Sequence, residues 1–202
     1  MARAIAGRDV LLVDGDRQGS AQMAVALRAH ANRSPGLACA HYVEGLMLRS
    51  QVQQQAGKYA DVVIDVGGTD SGTLRAAVFV SDVLLVPVPP RSIDVWALAD
   101  ITALIDEART LRDGLVAIAV LNRADPGISA DNRDAAAALN DFPQLRLLDG
   151  SIGDRKAFAN ATGLGLSVDE MRPRDRKACE ELDALVRNAF SNACNPQRNG
   201  SS

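Results

Sequence analysis

Short runs of consecutive apolar residues alternate along this chain with longer stretches in which apolar residues recur every three or four positions. Asp9–Val13 (DVLLV), Ala60–Val66 (ADVVIDV), Asp82–Val88 (DVLLVPV) and Leu115–Leu121 (LVAIAVL) read as buried strands. Leu37–Val43 and the shorter Leu145–Leu148 read as two more. Gly19–His30, Glu44–Gln55, Gly72–Val80, Asp94–Leu111 and Ser129–Leu139 read as the intervening helices, and Arg155–Ala161 and Arg176–Phe190 follow the last strand. Strands that are apolar on both faces and alternate with helices predict an α/β fold, a doubly wound and mostly parallel sheet with helices on both faces. Residues 1–190 are expected to form that domain and 191–202 a flexible polar tail.

Composition narrows the function classes. With 202 residues, 47% of them apolar, the chain is long enough to bury a core without disulfides or metal. No apolar run approaches the roughly 20 residues that span a bilayer, so no membrane role is expected. The net charge of −3 argues against a strongly basic nucleic-acid binder, and 3% aromatics against a base-stacking surface. Three scattered cysteines (Cys39, Cys179 and Cys194) fit neither a disulfide framework nor a zinc ribbon, and they point to a reducing, cytoplasmic compartment. Two histidines, His30 and His41, are too few for a histidine-rich metal site.

In a parallel sheet, ligands bind beyond the carboxyl ends of the strands. Three predicted strands end in polar groups there: Asp14-Gly15-Asp16-Arg17-Gln18, then Asp65 with Gly67 and Gly68, then Asn122-Arg123. Two carboxylates on neighbouring strands suit a Mg²⁺ that keeps several waters, and an acid beside them can orient an attacking water. Strand-end Asp and Gly also simply make turns, so the residues alone leave both readings open. Asn122, before Ala-Asp-Pro-Gly, reads equally as a turn residue.

The longer string favours the first reading. VLLVDGDRQGSA, then YADVVIDVGG, DVLLVPVPPRSIDVWAL and VLNR, with IGDRKAFANATGLGLSVDEM and DRKACEEL closing the series, resembles the ParA/MinD family of deviant-Walker ATPases. It is most similar to the compact, ParF-like partition proteins. The resemblance covers Ala2 to about Phe190. It implies a P-loop NTPase-like fold, ATP with Mg²⁺, ATP-driven dimerisation, non-specific DNA binding, a centromere-binding (ParB-like) partner, and a role in plasmid or chromosome segregation. It assigns Asp14 and Asp16 to catalysis, Gln18 and Asn122 to the nucleotide, and Asp65 and Asp16 to the metal. Arg17 stands where the family usually has Pro, which leaves the loop less rigid. Arg155, Arg172, Arg174, Arg176 and Lys177 are candidate DNA contacts that read equally as a solvated loop. Such DNA binding would place the protein on the nucleoid.

The same resemblance exposes a difference. The family opens with a central strand and a glycine-rich P-loop, KGGxGKT. Here Ala2–Ala6 already looks like the end of the following helix, and no Gly-Lys-Ser/Thr occurs in the 202 residues. The family's second, dimer-spanning lysine is absent from them too. The P-loop supplies backbone N–H groups, a helix N-terminus, a lysine and a Ser/Thr for Mg²⁺. Without it, Asp14, Asp16 and Asp65 at ~5 Å and an effective dielectric of ~20 would repel by about 3 kcal/mol per pair. The chain as given is therefore expected to bind ATP weakly or not at all, and the neighbours of the central strand are expected to carry unpaired edges. A second function stays open: a non-catalytic protein that binds a full-length relative or a centromere-binding partner. A third is an unrelated doubly wound binding domain.

The last helix, with Leu182, Leu185, Val186 and Phe190 on one side and Glu180, Glu181 and Asp183 beside them, is expected to cover the core rather than bind membrane. Trp96 is expected in a core or an interface.

Overall fold

The computed structural model describes residues 1–68, 72–91, 93–127 and 129–193. Residues 69–71, Cys194 and most of the expected tail lie outside the described residues. The chain forms two compact units: Met1–Val80 with Lys156–Asp175, and Ser81–Arg155 with the chain from Arg176 onward.

The first unit holds α1 (Ala2–Ile5), β1 (Val10–Asp14), α2 (Ser20–His30), β2 (Ala38–His41), α3 (Gly45–Gln55), β3 (Asp61–Asp65), α4 (Gly72–Val80) and α7 (Lys156–Gly163). Its three strands are parallel in the order β2-β1-β3. Leu11 and Val13 of β1 pack on Leu48 and Val52 of α3 and on Ala76 and Ala77 of α4, which buries one contiguous apolar cluster. Helix α2 lies against β1 and β2. It is anchored by Arg28, which is 2% exposed and makes paired bonds to Glu170 (2.7 and 3.0 Å) and to the carbonyls of Pro35 and Gly165. Gly165 has no side chain because a Cβ there would sit 2.4 Å from the Arg28 backbone nitrogen.

The second unit holds β4 (Val83–Val88), α5 (Val95–Leu111), β5 (Val116–Ala124), α6 (Ala130–Leu139), β6 (Arg146–Gly153) and α8 (Arg176–Ala193). Its strands are parallel in the order β4-β5-β6. Leu185 of α8 packs on the cluster of Ile118, Val120 and Leu148, so the last helix covers the sheet as its apolar stripe implies. Side-chain caps start two helices: Asp94 accepts from the Ala97 N–H, and Ser129 from that of Asn132. Among the described residues no helix is long and apolar enough to cross a membrane.

These are mostly parallel sheets with helices on both sides, the P-loop NTPase-like class expected from the pattern. Three features depart from the expectation. Strand β6 runs on to Gly153, because a register shift opposite Ala119–Leu121 absorbs Asp149 and Gly150 (φ 118°) without ending the ladder. Asn122 is no turn residue: it pairs with Ile152 inside β5. Trp96 is 85% exposed and so is not core. Among the described residues β3 and β4 are end strands of their sheets, as β2 and β6 are, and Val63 and Leu85 are each 37% exposed.

Candidate functional site

Parallel register places three polar residues in one row at the carboxyl end of the first sheet. His41 of β2 pairs with Asp14 of β1, and Asp14 pairs with Asp65 of β3. The chain leaves β1 through Gly15, whose N–H donates to the Asp65 carbonyl at 2.7 Å. A Cβ at Gly15 would lie 2.7 Å from Val66 Cγ1 and 3.0 Å from Leu48 Cδ1. That close approach explains a glycine between two acids.

The two acids after β1 do different work. Asp14 is fully buried, and its carboxylate accepts from the Asp16 N–H (3.1 Å) and from the Gln22 N–H in the first turn of α2 (2.8 Å). Its charge thus meets the amino end of a helix whose N-cap, Gly19 (φ 64°), has no side chain to offer. Asp16 is half-buried. Its Oδ1 accepts the Gln18 N–H at 2.9 Å. Its Oδ2 lies 3.5 Å from where a Cβ on Gly67 would stand, so the carboxylate rests over the turn that follows β3.

Asp65 is exposed as a residue, yet partial desolvation of its carboxyl, then the charges of Asp14 and Asp16, push it above the usual carboxylate range. Asp14 and Asp16 thus both oppose ionisation of Asp65. Sequence reasoning missed His41. Its Nε2–H donates to the Asp16 carbonyl at 2.8 Å, tying the loop after β1 to the end of β2. Its position at a strand end was the available signal.

Gln18 is exposed beside Arg17, also exposed. Asn122 lies in the second unit, where its neighbour Arg123 (φ 57°) reaches Asp154 at 3.4 Å. Of the candidate DNA contacts, Arg155 is held by Glu181 (2.7–3.1 Å), and Arg176 pairs with Glu180. Arg172 and Arg174 are exposed and donate to the Asp169 carbonyl, and Lys177 is exposed. These basic residues divide between the two units.

Among the described residues no three His, Cys, Asp or Glu side chains form a group that could hold a metal ion. Asp16 and Asp65 are two carboxylates of the kind that hold a water-rich Mg²⁺, whereas both Asp14 oxygens are occupied. A triphosphate does not fit these residues alone. The strand ends of the first unit present acids, and no glycine-rich loop with a phosphate-binding lysine stands among them.

This geometry defines a P-loop NTPase-like fold with an acidic strand-end site. The chain is similar to two proteins called maintenance of carboxysome distribution protein A. The Halothiobacillus neapolitanus protein is 30% identical over 105 residues, 52% of this chain and 48% of that protein. The Gloeobacter kilaueensis protein is 28% identical over 193 residues, 91% of this chain and 85% of that protein. The first match thus spans about half of that relative's length. Among solved structures, an ATP complex of McdA from Cyanothece superposes with a TM-score of 0.72 at 15% identity, covering 91% of this chain and 85% of that one. The septum site-determining protein MinD of Pyrococcus horikoshii with Mg-ADP gives 0.66 at 16% identity, covering 98% and 89%. No family model matches the chain. These findings show the fold that McdA and MinD share, and nothing in them singles out the ParF-like branch.

Proposed function

We propose that the chain is a ParA/MinD-type positioning protein that keeps the acidic half of a nucleotide site and binds ATP weakly as the 202 residues stand. The observation behind this reading is the in-register row His41–Asp14–Asp65 with Asp16 lodged over Gly67, and no cation cradle beside it. Asp65 and Asp16 would hold a hydrated Mg²⁺, and Asp14 would fix the loop that presents Asp16. Gln18 and Asn122 remain nucleotide contacts by resemblance only. The matched relatives are named for carboxysome distribution, which supports cargo positioning rather than plasmid or chromosome partition. A self-associating protein acting with an adaptor partner in the cytoplasm, on nucleoid DNA through Arg172 and Arg174, completes the proposal.

The test is sedimentation of the purified chain with and without Mg-ATP, alongside binding to duplex DNA across a salt series. Weak, strongly salt-dependent DNA binding that is indifferent to ATP supports the reading. ATP-driven dimerisation at micromolar nucleotide contradicts it. The acidic, cradle-free site equally favours a second reading, a non-catalytic subunit that associates with a full-length relative. Co-sedimentation with such a relative that needs nucleotide only on the relative's side would distinguish it.

A further inference from the structure

Helix α5 carries an outer face that the core of its own unit does not explain. Its inner side is satisfied, with Leu98, Thr102, Leu104, Ile105 and Ala108 buried. The outer side begins at Trp96, which is 85% exposed and is the only tryptophan of the chain. Ala99, Ala103 and Thr110, all exposed, continue the same stripe at helical spacing. An indole buries a large area when it packs, and one left this far in water is an unused contact surface.

The charged residues that flank this stripe are all acids. Asp100 and Glu107 lie seven residues apart along one side, and Asp106 lies on the other, each exposed. Asp94 stands at the N-cap, and no Lys, Arg or His occurs from residue 94 to residue 108. The arginines closest in sequence are engaged elsewhere. Arg91 pairs with Asp125. Arg109 donates to the carbonyls of Leu115 and Gln144. Arg112 donates to the Ser81 carbonyl and to Asp82. Asp106 accepts from the Gln144 amide at 2.8 Å, a neutral partner that leaves its charge in place. A helix face of one sign beside an exposed indole suits a cation twice over, through the carboxylates and through the negative face of the ring.

We propose that this face of α5 docks an arginine- or lysine-bearing segment of a partner protein, with one cation over the Trp96 ring and others on Asp100 and Glu107. The short side chains of Ala99 and Ala103 leave room for the partner's backbone between them. The acids of the strand-end site belong to the first unit and α5 to the second, so the test needs no nucleotide and its failure leaves the reading of that site untouched.

The sole tryptophan reports on the contact directly. The probe is a synthetic peptide of about 15 residues with Arg at every third or fourth position among Ala, and its counterpart has Glu in place of Arg. Titrated into the full 202-residue chain, the Arg peptide should change the Trp96 emission saturably with a micromolar midpoint that weakens as NaCl is added. The Glu peptide should bind at least about tenfold more weakly. Asp100→Asn with Glu107→Gln should weaken the Arg peptide about tenfold at an unchanged urea midpoint. Trp96→Ala, followed by the anisotropy of a labelled copy of the peptide, should weaken it by a similar factor, and Trp96→Phe by less. Glu44→Gln, the same loss of charge at an exposed residue of the first unit, should leave binding intact. The proposal is overturned if the emission does not respond, if both peptides bind alike, or if the neutralised double variant binds as the parent does. It is overturned equally if Trp96→Ala abolishes a dimer in sedimentation, which would make the occupant a second copy. A Trp96 emission shift produced by phosphatidylserine vesicles and not by the Arg peptide would make the occupant a membrane and would overturn it too.

Discussion

Asp14 and Asp65 face each other in register at the ends of paired parallel strands, and only Asp14 has its carboxylate buried against two backbone N–H donors. At the carboxyl end of one sheet the pair separates an acid bound by backbone donors from an exposed one. Asp14 gathers the loop after β1 and the start of α2. Asp65 is left with the electrostatic penalty.

Removing Asp14 should therefore cost stability. Asp14→Ala strands the N–H groups of Asp16 and Gln22 at a buried position, a loss of about 2–3 kcal/mol. Asp16→Ala removes one half-exposed acceptor and should cost under about 1 kcal/mol. Urea unfolding of both variants gives the comparison. Equal losses would show that Asp14 does not anchor α2.

Asp65 predicts a pH dependence. Its carboxyl is raised by partial desolvation first and by Asp14 and Asp16 second, so the folded state holds that proton more tightly than the unfolded chain. Its favourable contribution is complete below the ordinary carboxylate pKa and is lost as pH rises through the raised value. Asp65→Asn should raise Tm at pH 7, with a gain that shrinks toward pH 4. Thermal melts across that range would show it, and a gain independent of pH would contradict it.

Two glycines are fixed by contact rather than by turn geometry. A Cβ at Gly45 would stand 2.3 Å from the Gly72 carbonyl oxygen, and one at Gly15 would stand 2.7 Å from Val66 Cγ1, whereas Gly68 has open space. Gly45→Ala should destabilise by about 2 kcal/mol or more, because backbone has to move, and Gly15→Ala by somewhat less. Gly68→Ala should fall within about 0.5 kcal/mol. Unfolding midpoints order the three.

Arg28 and Glu170 bind α2 to the segment after α7. Burial alone would raise the Glu170 carboxyl, but the Arg28 guanidinium, the Ser167 N–H and the Arg33 charge outweigh it and hold it below its usual value. That stabilisation is present above the ordinary glutamate pKa and is lost as pH falls through the depressed one. Arg28→Ala leaves the carboxylate and two carbonyls without their partner and should cost about 3 kcal/mol in denaturant. Arg28→Ala should also flatten the acid limb of the stability curve.

The strands and helices were legible because each buried strand is a nearly continuous apolar run, as in Val10–Val13 and Val116–Leu121. The gathering of Asp14 and Asp65 at neighbouring strand ends was legible for the same reason. What escaped depended on contacts distant in sequence. Asp14 and Asp16 look alike in Asp-Gly-Asp, and only the Gln22 N–H, eight residues on, separates their roles. The strand read from Leu145–Leu148 stops short of Gly150 and Ser151, but pairing with β5 carries β6 through them. Asn122 stays in its strand because Ile152 lies opposite, a partner invisible in the local pattern. The His41–Asp16 bond spans 25 positions and leaves no periodic trace.

We propose that the chain, as the 202 residues stand, binds Mg-ATP weakly, because acids and not cations line the described strand ends of the first unit. Titration of a fluorescent ATP analogue into the purified 202-residue chain with millimolar Mg²⁺ tests it most directly. The expected Kd is weaker than about 1 mM, corresponding to less than about 4 kcal/mol of binding. A sub-millimolar Kd that Asp65→Asn abolishes would contradict it.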